Sequence, residues 1–141
     1  MNRRQRKKLQ QRLVEAAAWG EVGQVARLLR DGADPNLPDL DGTTPLYRAS
    51  VQDRADNVRT LVAAGADPNA ESGTGDEGLP LCAAACWGHA GAVRELLAGG
   101  ADPHLREDNG SGRTAVEWAE AGGHHDTLEL LSTPPIRPEP T

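Results

Sequence analysis

The chain has 141 residues, a length that fits one domain. Apolar residues make up 38% of it and only four residues are aromatic, none of them Phe, so large side chains are too few for an ordinary compact core. Its two cysteines argue against a disulfide framework, and its net charge of −6 argues against nucleic acid and for a basic partner.

The first predicted element is a basic segment, residues 1–12. It carries no acid and six basic residues: Arg3, Arg4, Arg6, Lys7, Lys8 and Arg12. The other nine basic residues face all 21 acids, which leaves a net charge of −12 on the remainder. Leu9 and Leu13 have the i, i+4 spacing of a helix, so the segment is predicted to extend the first helix as a polar end cap. The alternative is an arm that binds nucleic acid.

A five-residue motif then recurs along the chain. Gly-Ala-Asp-Pro-Asn occupies 32–36 and 65–69, and Gly-Ala-Asp-Pro-His occupies 100–104, at steps of 33 and 35 residues. A period of this size is typical of a solenoid, in which each unit buries its apolar face against its neighbours. Such a molecule is expected to offer a recognition surface rather than a catalytic pocket.

Each motif follows a predicted pair of helices. Thr44 can cap a helix whose first residue is Pro45, and Ala49 leaves room for close packing between units. The second helix presents the apolar stripe 58–62 and ends at Gly65, which suits a left-handed turn. One apolar position recurs in every first helix, at Leu13, Leu46, Leu81 and Val116.

These residues resemble the ankyrin repeat family. Its Thr-Pro-Leu-His-x-Ala core is matched best by Thr44–Ala49, and its Gly-Ala-Asp-x-Asn turn by 32–36 and 65–69. The resemblance implies an all-α fold, an ankyrin repeat α-solenoid of helix-turn-helix units with protruding hairpin-like loops, over residues 10–132. The four implied repeats, with the first and last as caps, are 10–36, 37–69, 70–104 and 105–132.

In that family, partners usually contact the loop tips and the exposed side of each first helix. Aligning the repeats places the exposed helix pairs at Ala18 and Trp19, Val51 and Gln52, Cys86 and Trp87, and Ala121 and Gly122. The third loop carries a two-residue insertion, with Asp76 and Glu77 expected near its tip. The candidate partner-binding residues are Trp19, Leu40, Asp41, Tyr47, Val51, Gln52, Cys86, Trp87 and Arg113.

Several of these side chains have two interpretations. Trp19 and Trp87 occupy matching repeat positions and are either binding hot spots or half-buried core residues. Trp118 is interpreted as structural. Arg48 replaces an apolar family residue, so its stem is expected to snorkel or its guanidinium to pair with an acid such as Glu15 or Asp53. An ion pair is favoured, and the remaining alternative is a partner contact.

No catalytic or metal-binding pattern is complete. Cys82, Cys86 and His89 supply only three local ligands where zinc needs about four, so His89 and its counterpart His124 are predicted to stabilise turns. The sequence holds no nucleophile elbow, phosphate-binding loop or dinucleotide fingerprint. We therefore predict no enzyme activity, no cofactor and no metal.

The remaining expectations concern the tail and the setting. Residues 133–141 are Pro-rich and predicted to be a disordered tail. No apolar run is long enough for a signal peptide or a membrane span, and two free cysteines fit a reducing, cytoplasmic location. Arginine outnumbers lysine 13 to 2, which favours a GC-rich bacterial genome.

The predicted function is non-catalytic. The chain is expected to be a monomer that binds another protein through its loop tips and first helices. The alternatives are a regulatory or inhibitory subunit of a partner enzyme, or a nucleic-acid-associated factor that uses the basic segment. Nucleic acid is disfavoured because the rest of the chain repels phosphate.

Overall fold

A computed structural model of the chain describes residues 1–132. The all-α prediction is confirmed over this range, which contains helices, turns and no strand. The predicted tail, 133–141, lies outside the described residues. The helices are α1 (Arg3–Trp19), α2 (Val22–Arg30), α3 (Pro45–Val51), α4 (Ala55–Ala63), α5 (Pro80–Cys86), α6 (Ala90–Ala98), α7 (Glu107–Gly110), α8 (Ala115–Gly122) and α9 (His125–Ser132).

The helices form four consecutive pairs in two layers. The first helices α1, α3, α5 and α8 contact one another in chain order, and the second helices α2, α4, α6 and α9 do the same. The four pairs agree with the predicted number of repeats. The basic residues of segment 1–12 lie within α1, which is longer than the other first helices. The remaining short element, α7, belongs to a loop.

Local sequence explains where these helices begin and end. The Thr44 hydroxyl accepts a hydrogen bond from Tyr47 N, and Pro45 occupies the first helical position, as predicted. After α4 the chain turns at Gly65, whose φ of 104° lies in a region that favours glycine.

The core consists of small and branched aliphatic side chains between the two layers. Leu13, Leu46 and Leu81 are at most 2% exposed, and Ala49 is fully buried. Val116, at the same repeat position in the last pair, is only partly buried. The predicted recurring apolar position of the first helices is thus confirmed, with weaker burial at the end of the described stack.

Asparagine side chains join consecutive repeats. Asn36 accepts a hydrogen bond from Asp67 N (2.7 Å) and donates to Gly65 O (2.9 Å), and Asn69 makes the same two bonds one repeat later. Gln10 in α1 takes the equivalent role, since it accepts from Asp34 N and donates to Asp34 O. The basic segment therefore contains a residue, Gln10, that connects it to the first repeat turn.

The protruding loops are closed by backbone hydrogen bonds between their ends, Asp39 to Thr43, Ser72 to Gly78 and Glu107 to Arg113. The 39–43 loop has three residues between its ends, whereas the 72–78 and 107–113 loops have five. The predicted insertion in the third loop is confirmed. The fourth loop carries the same insertion, and Asp108 and Asn109 adopt left-handed φ angles within it.

Candidate interaction surface

The structure places the predicted partner-binding residues at the loops and near the ends of the first helices. Trp19 and Trp87 are 66% and 65% exposed, so the half-buried interpretation of the two indoles is wrong. Leu40 is 76% exposed. The remaining candidates are exposed (Asp41, Arg113) or half-buried (Tyr47, Val51, Gln52, Cys86).

One expected exposure is corrected. Ala18, which was paired with Trp19 as a surface residue, is fully buried. The first helix of the next repeat, α3, packs against α1, and a methyl group fits within that contact. The equivalent Val51 and Cys86 are half-buried, so this repeat position supplies less surface than the Trp19 and Trp87 position.

Tyr47, Cys86 and Trp87 lie together in a cavity of about 280 Å³, here called the acidic groove. The groove lies between the 72–78 and 107–113 loops and the helices α5 and α8. Trp118 also lines it. Its carboxylates are Asp76, Glu77, Glu107 and Asp108, and no Lys or Arg is among its described lining residues.

Glu107 is the most buried of these acids, with 9% of its surface exposed. Its carboxylate accepts hydrogen bonds from Leu79 N (3.2 Å) and Trp118 Nε1 (2.9 Å). Burial raises the pKa of Glu107, against the lowering effect of these two bonds. The sequence did not indicate this residue, because it belongs to no motif and its partners come from two other segments.

Trp118 has the structural role that was predicted for it. Its indole N–H binds Glu107, and the Arg113 guanidinium lies 4.9 Å from its ring centroid, within the range of a cation–π contact. Arg113 therefore contacts Trp118 at the edge of the groove. Trp118 also lines the groove, which its repeat position alone did not reveal.

Two further titratable groups of the groove have raised pKa values, first because they are buried and then because acids lie near them. The pKa of Tyr47 is raised, first by burial and then by the charges of Glu77 and Glu107. Burial, with a further contribution from Glu107, also raises the pKa of the Cys82 thiol. Cys82 is buried and its Sγ lies 3.7 Å from Arg113 O, so this thiol is protected rather than reactive.

A second cavity, of about 730 Å³, lies at the other end of the stack. Three basic residues of α1, Arg3, Arg6 and Lys7, line it together with Leu37 and Leu40 and the acids Asp34 and Asp39. We call it the basic groove. Leu40 thus lines this groove, whereas Tyr47 and Trp87, which the sequence had grouped with it in one surface, line the acidic groove.

The two predicted turn histidines are confirmed. His89 Nε2 lies 2.9 Å from Val51 O, and His124 Nε2 lies 2.9 Å from Cys86 O. Because a carbonyl can only accept, each Nε2 carries the proton. Arg54, one repeat earlier, donates to Gly20 O in the same way. Within residues 1–132, no three His, Cys, Asp or Glu side chains converge as metal ligands.

The predicted ion pair of Arg48 is wrong. Among the ion pairs of residues 1–132, none joins Arg48 to Glu15 or Asp53. Asp53 instead accepts a hydrogen bond from Ala92 N and lies 3.9 Å from His89 Nδ1. Arg48 Nε is buried without a hydrogen-bond partner in the described part of the chain.

The fold and this surface define a helical repeat protein whose candidate binding residues lie on loops and at first helices. A family model described as "Ankyrin repeat" matches residues 41–72 and 79–108. The chain belongs to the ankyrin repeat family, with helix pairs for about four repeats. Ankyrin repeats are typically protein–protein interaction modules. No helix in residues 1–132 combines the length and apolar character needed to cross a bilayer.

Three curated proteins illustrate the similarity. The mitochondrial disaggregase of Bos taurus is 46% identical over 57 residues, which are 40% of this chain and 8% of that protein. The 2-5A-dependent ribonuclease of Mus musculus is 43% identical over 58 residues, 40% of this chain and 8% of that protein. The potassium channel KOR1 of Oryza sativa subsp. japonica is 37% identical over 59 residues, 42% and 7% respectively. The chain matches less than a tenth of each relative's length.

Proposed function

We propose that this chain is a non-catalytic module that binds another protein through the ends of its first helices and its protruding loops. One observation carries the proposal. Trp19 and Trp87 occupy the same repeat position at the ends of α1 and α5, and about two thirds of each side chain is exposed. Tryptophan is enriched in binding hot spots, where it is buried by the partner.

The proposal also accounts for the rigid frame behind these residues. The asparagine and histidine contacts fix the turns and first helices of neighbouring repeats relative to one another. Side chains displayed on such a frame need little reordering on binding, which favours affinity. Regulation or inhibition of a partner enzyme would use the same surface. The identity of the captured protein would distinguish an enzyme regulator from a module that only binds its partner.

The basic segment supports nucleic-acid binding less well. Arg3, Arg6 and Lys7 surround a groove that also exposes Leu37 and Leu40. Nucleic-acid affinity without base recognition depends on neutralising phosphates, and exposed leucines add nothing to that contact. A protein surface with acidic and apolar side chains is the better complement to this groove.

The test is affinity capture from the native host with the full chain as bait. Trp19→Ala/Trp87→Ala should lose the captured protein, because hot-spot residues contribute about 2 kcal/mol or more each. Val22→Ala is the control for loss of an exposed apolar side chain, since Val22 is 42% exposed and lies at the start of a second helix, α2.

The two outcomes are distinct. A protein captured by the wild type and the Val22 variant but not by the double Trp variant would support the proposal. No specific capture, or equal retention by the double Trp variant, would contradict it. Circular dichroism of each variant checks that the helices remain folded.

A further inference from the structure

The acidic groove contains negative charge that is not neutralised by any ion pair in residues 1–132, although Arg113 lies at its edge against Trp118. Its four carboxylates belong to Asp76, Glu77, Glu107 and Asp108. The ion pairs of residues 1–132 join Arg59 to Glu95, His89 to Asp53 and Arg106 to Glu117, so none includes a groove acid. Carboxylates placed close together without a counter-charge repel one another, which raises the free energy of the unliganded state.

Two of these acids are held in place by hydrogen bonds. Glu77 accepts from the Thr43 and Ser72 hydroxyls at 3.0 and 2.8 Å. Glu107 accepts from Leu79 N and Trp118 Nε1 while more than nine tenths of its surface is buried. A buried carboxylate is normally paired with a cation or a metal, and here the hydrogen-bond donors are all neutral. The groove is therefore preorganised for a positive charge that the described chain does not supply.

The aromatic side chains of the groove point to the type of cation. Trp87 lines the groove with most of its indole exposed. At the neighbouring Trp118, the chain already places a guanidinium over an indole, since Arg113 lies 4.9 Å from the ring centroid. Guanidinium groups stack on aromatic rings and bind carboxylates through two N–H groups at once, whereas an ammonium group is a compact, strongly hydrated point charge.

We propose that the acidic groove binds an arginine side chain from a basic segment of the partner protein, with the guanidinium against Trp87 and the groove carboxylates. This inference rests on the proposed interaction function and adds the chemistry of the partner at one position. Trp19 provides an internal comparison. It has the same repeat position and the same exposure as Trp87, but it lies on α1, which carries six basic residues.

The experiment uses the full chain and three capped peptides of alternating glycine with arginine, lysine or glutamate, titrated by calorimetry. The arginine peptide should bind, the lysine peptide more weakly and the glutamate peptide not at all. Trp87→Ala should weaken arginine-peptide binding about tenfold, the range expected of a partly desolvated cation–π contact. Trp19→Ala should change it less than about twofold.

A second variant tests the charge without removing an aromatic ring. Asp108→Asn keeps a residue that tolerates the left-handed φ of 54° at this position. It should weaken arginine-peptide binding several-fold, and the wild-type affinity should fall as salt is added. Cys86 lines the groove and is half-buried, so bound arginine peptide should also slow its alkylation by iodoacetamide.

The proposal is overturned if the arginine peptide does not bind, if Trp19→Ala and Trp87→Ala weaken it equally, or if lysine and arginine peptides bind alike. These failures are separable from failure of the proposed function. Capture that depends on Trp87 without arginine-peptide binding would leave the interaction surface and remove the arginine site. Arginine-peptide binding without any captured protein would support the arginine site and contradict the proposed protein-binding function. Self-association that weakens with salt and is lost in Trp87→Ala would also overturn the proposal. The bound arginine would then come from a second copy of this chain and not from a partner protein.

Discussion

Glu107 illustrates how a single residue acquires its properties from tertiary contacts. Its side chain reaches Leu79 N in the preceding repeat and Trp118 Nε1 in its own first helix. Glu107 therefore connects the third and fourth repeats where it lines the acidic groove. The two hydrogen bonds favour the ionised carboxylate, whereas burial disfavours it and raises the pKa of Glu107.

This environment predicts a pH dependence of stability. Because the folded-state pKa of Glu107 is raised above the ordinary value of 4.5, the folded state holds this proton more tightly than the unfolded state. The contribution of Glu107 to the free energy of unfolding is then fully present below pH 4.5 and is lost as the pH rises through the raised pKa. Urea unfolding of wild type and Glu107→Gln across this window measures the difference.

Glu107→Gln should remove that decline. Its absolute stability is also expected to fall by about 1 kcal/mol, since one hydrogen bond to the former carboxylate is lost. The informative quantity is therefore the difference between the two slopes against pH. Parallel slopes for the two proteins would show that the Glu107 pKa is not raised.

At the scale of elements, the stack depends on polar contacts that recur with the repeat. Asn36 and Asn69 connect successive turns. Arg54, His89 and His124 connect the start of the second helices α4, α6 and α9 to the end of the first helix in the preceding repeat. These bonds satisfy backbone groups at helix ends and turns that would otherwise lack partners. They also set the register of one repeat on the next.

The element-scale prediction concerns Asn69→Ala. This variant removes a donor bond to Gly100 O and an acceptor bond from Asp102 N, so unfolding free energy should fall by about 1–3 kcal/mol at roughly 0.5–1.5 kcal/mol per bond. His104→Ala is the matched control, since His104 has the same repeat position and its side chain has no hydrogen bond within residues 1–132. Denaturant unfolding compares the two.

Equal losses in the two variants would contradict the role assigned to the asparagine bridges. A loss confined to Asn69→Ala would support it. The comparison is informative because both residues follow the same Gly-Ala-Asp-Pro sequence, so their local turns are alike.

At the scale of the whole molecule, charge is divided along the stack. The basic segment lies in the first helix, and the acidic groove lies between the third and fourth repeats. The remainder of the chain outside the basic segment carries a net charge of −12. Any long polyanion that reached the basic groove would also meet this negative body.

The corresponding prediction is that the full chain does not bind duplex DNA at physiological salt. Fluorescence anisotropy with a labelled duplex at about 50 mM and about 200 mM salt measures this. The control is Arg3→Gln/Arg6→Gln/Lys7→Gln, which keeps Gln10 and its bonds to the first turn, unlike a deletion of 1–12. Tight binding that falls steeply with salt and is lost in this variant would favour the nucleic-acid alternative.

Much of the fold was predictable because its determinants are local and periodic. Thr44 and Pro45 start a helix, Gly65 allows the turn that ends one, and the spacing of Leu13, Leu46 and Leu81 fixes the repeat. Alignment of the repeats also predicted that Trp19 and Trp87 share one repeat position. It did not decide whether the two indoles are exposed or half-buried. The ion pair of Arg48 was predicted incorrectly. Asp53 instead contacts Ala92 N and His89, which lie more than 35 residues away in the next repeat and could not be identified from local sequence.

The sequence by itself determined the repeat number, the helix pairs and the position of the exposed indoles, because these follow from motifs that each repeat carries. Only the tertiary structure decided that Tyr47, Trp87, Glu107 and Trp118 share one groove while Leu40 belongs to another. The grooves form between loops and helices of different repeats. Their charge and shape depend on how residues about 35 positions apart are stacked, and no single repeat contains that information.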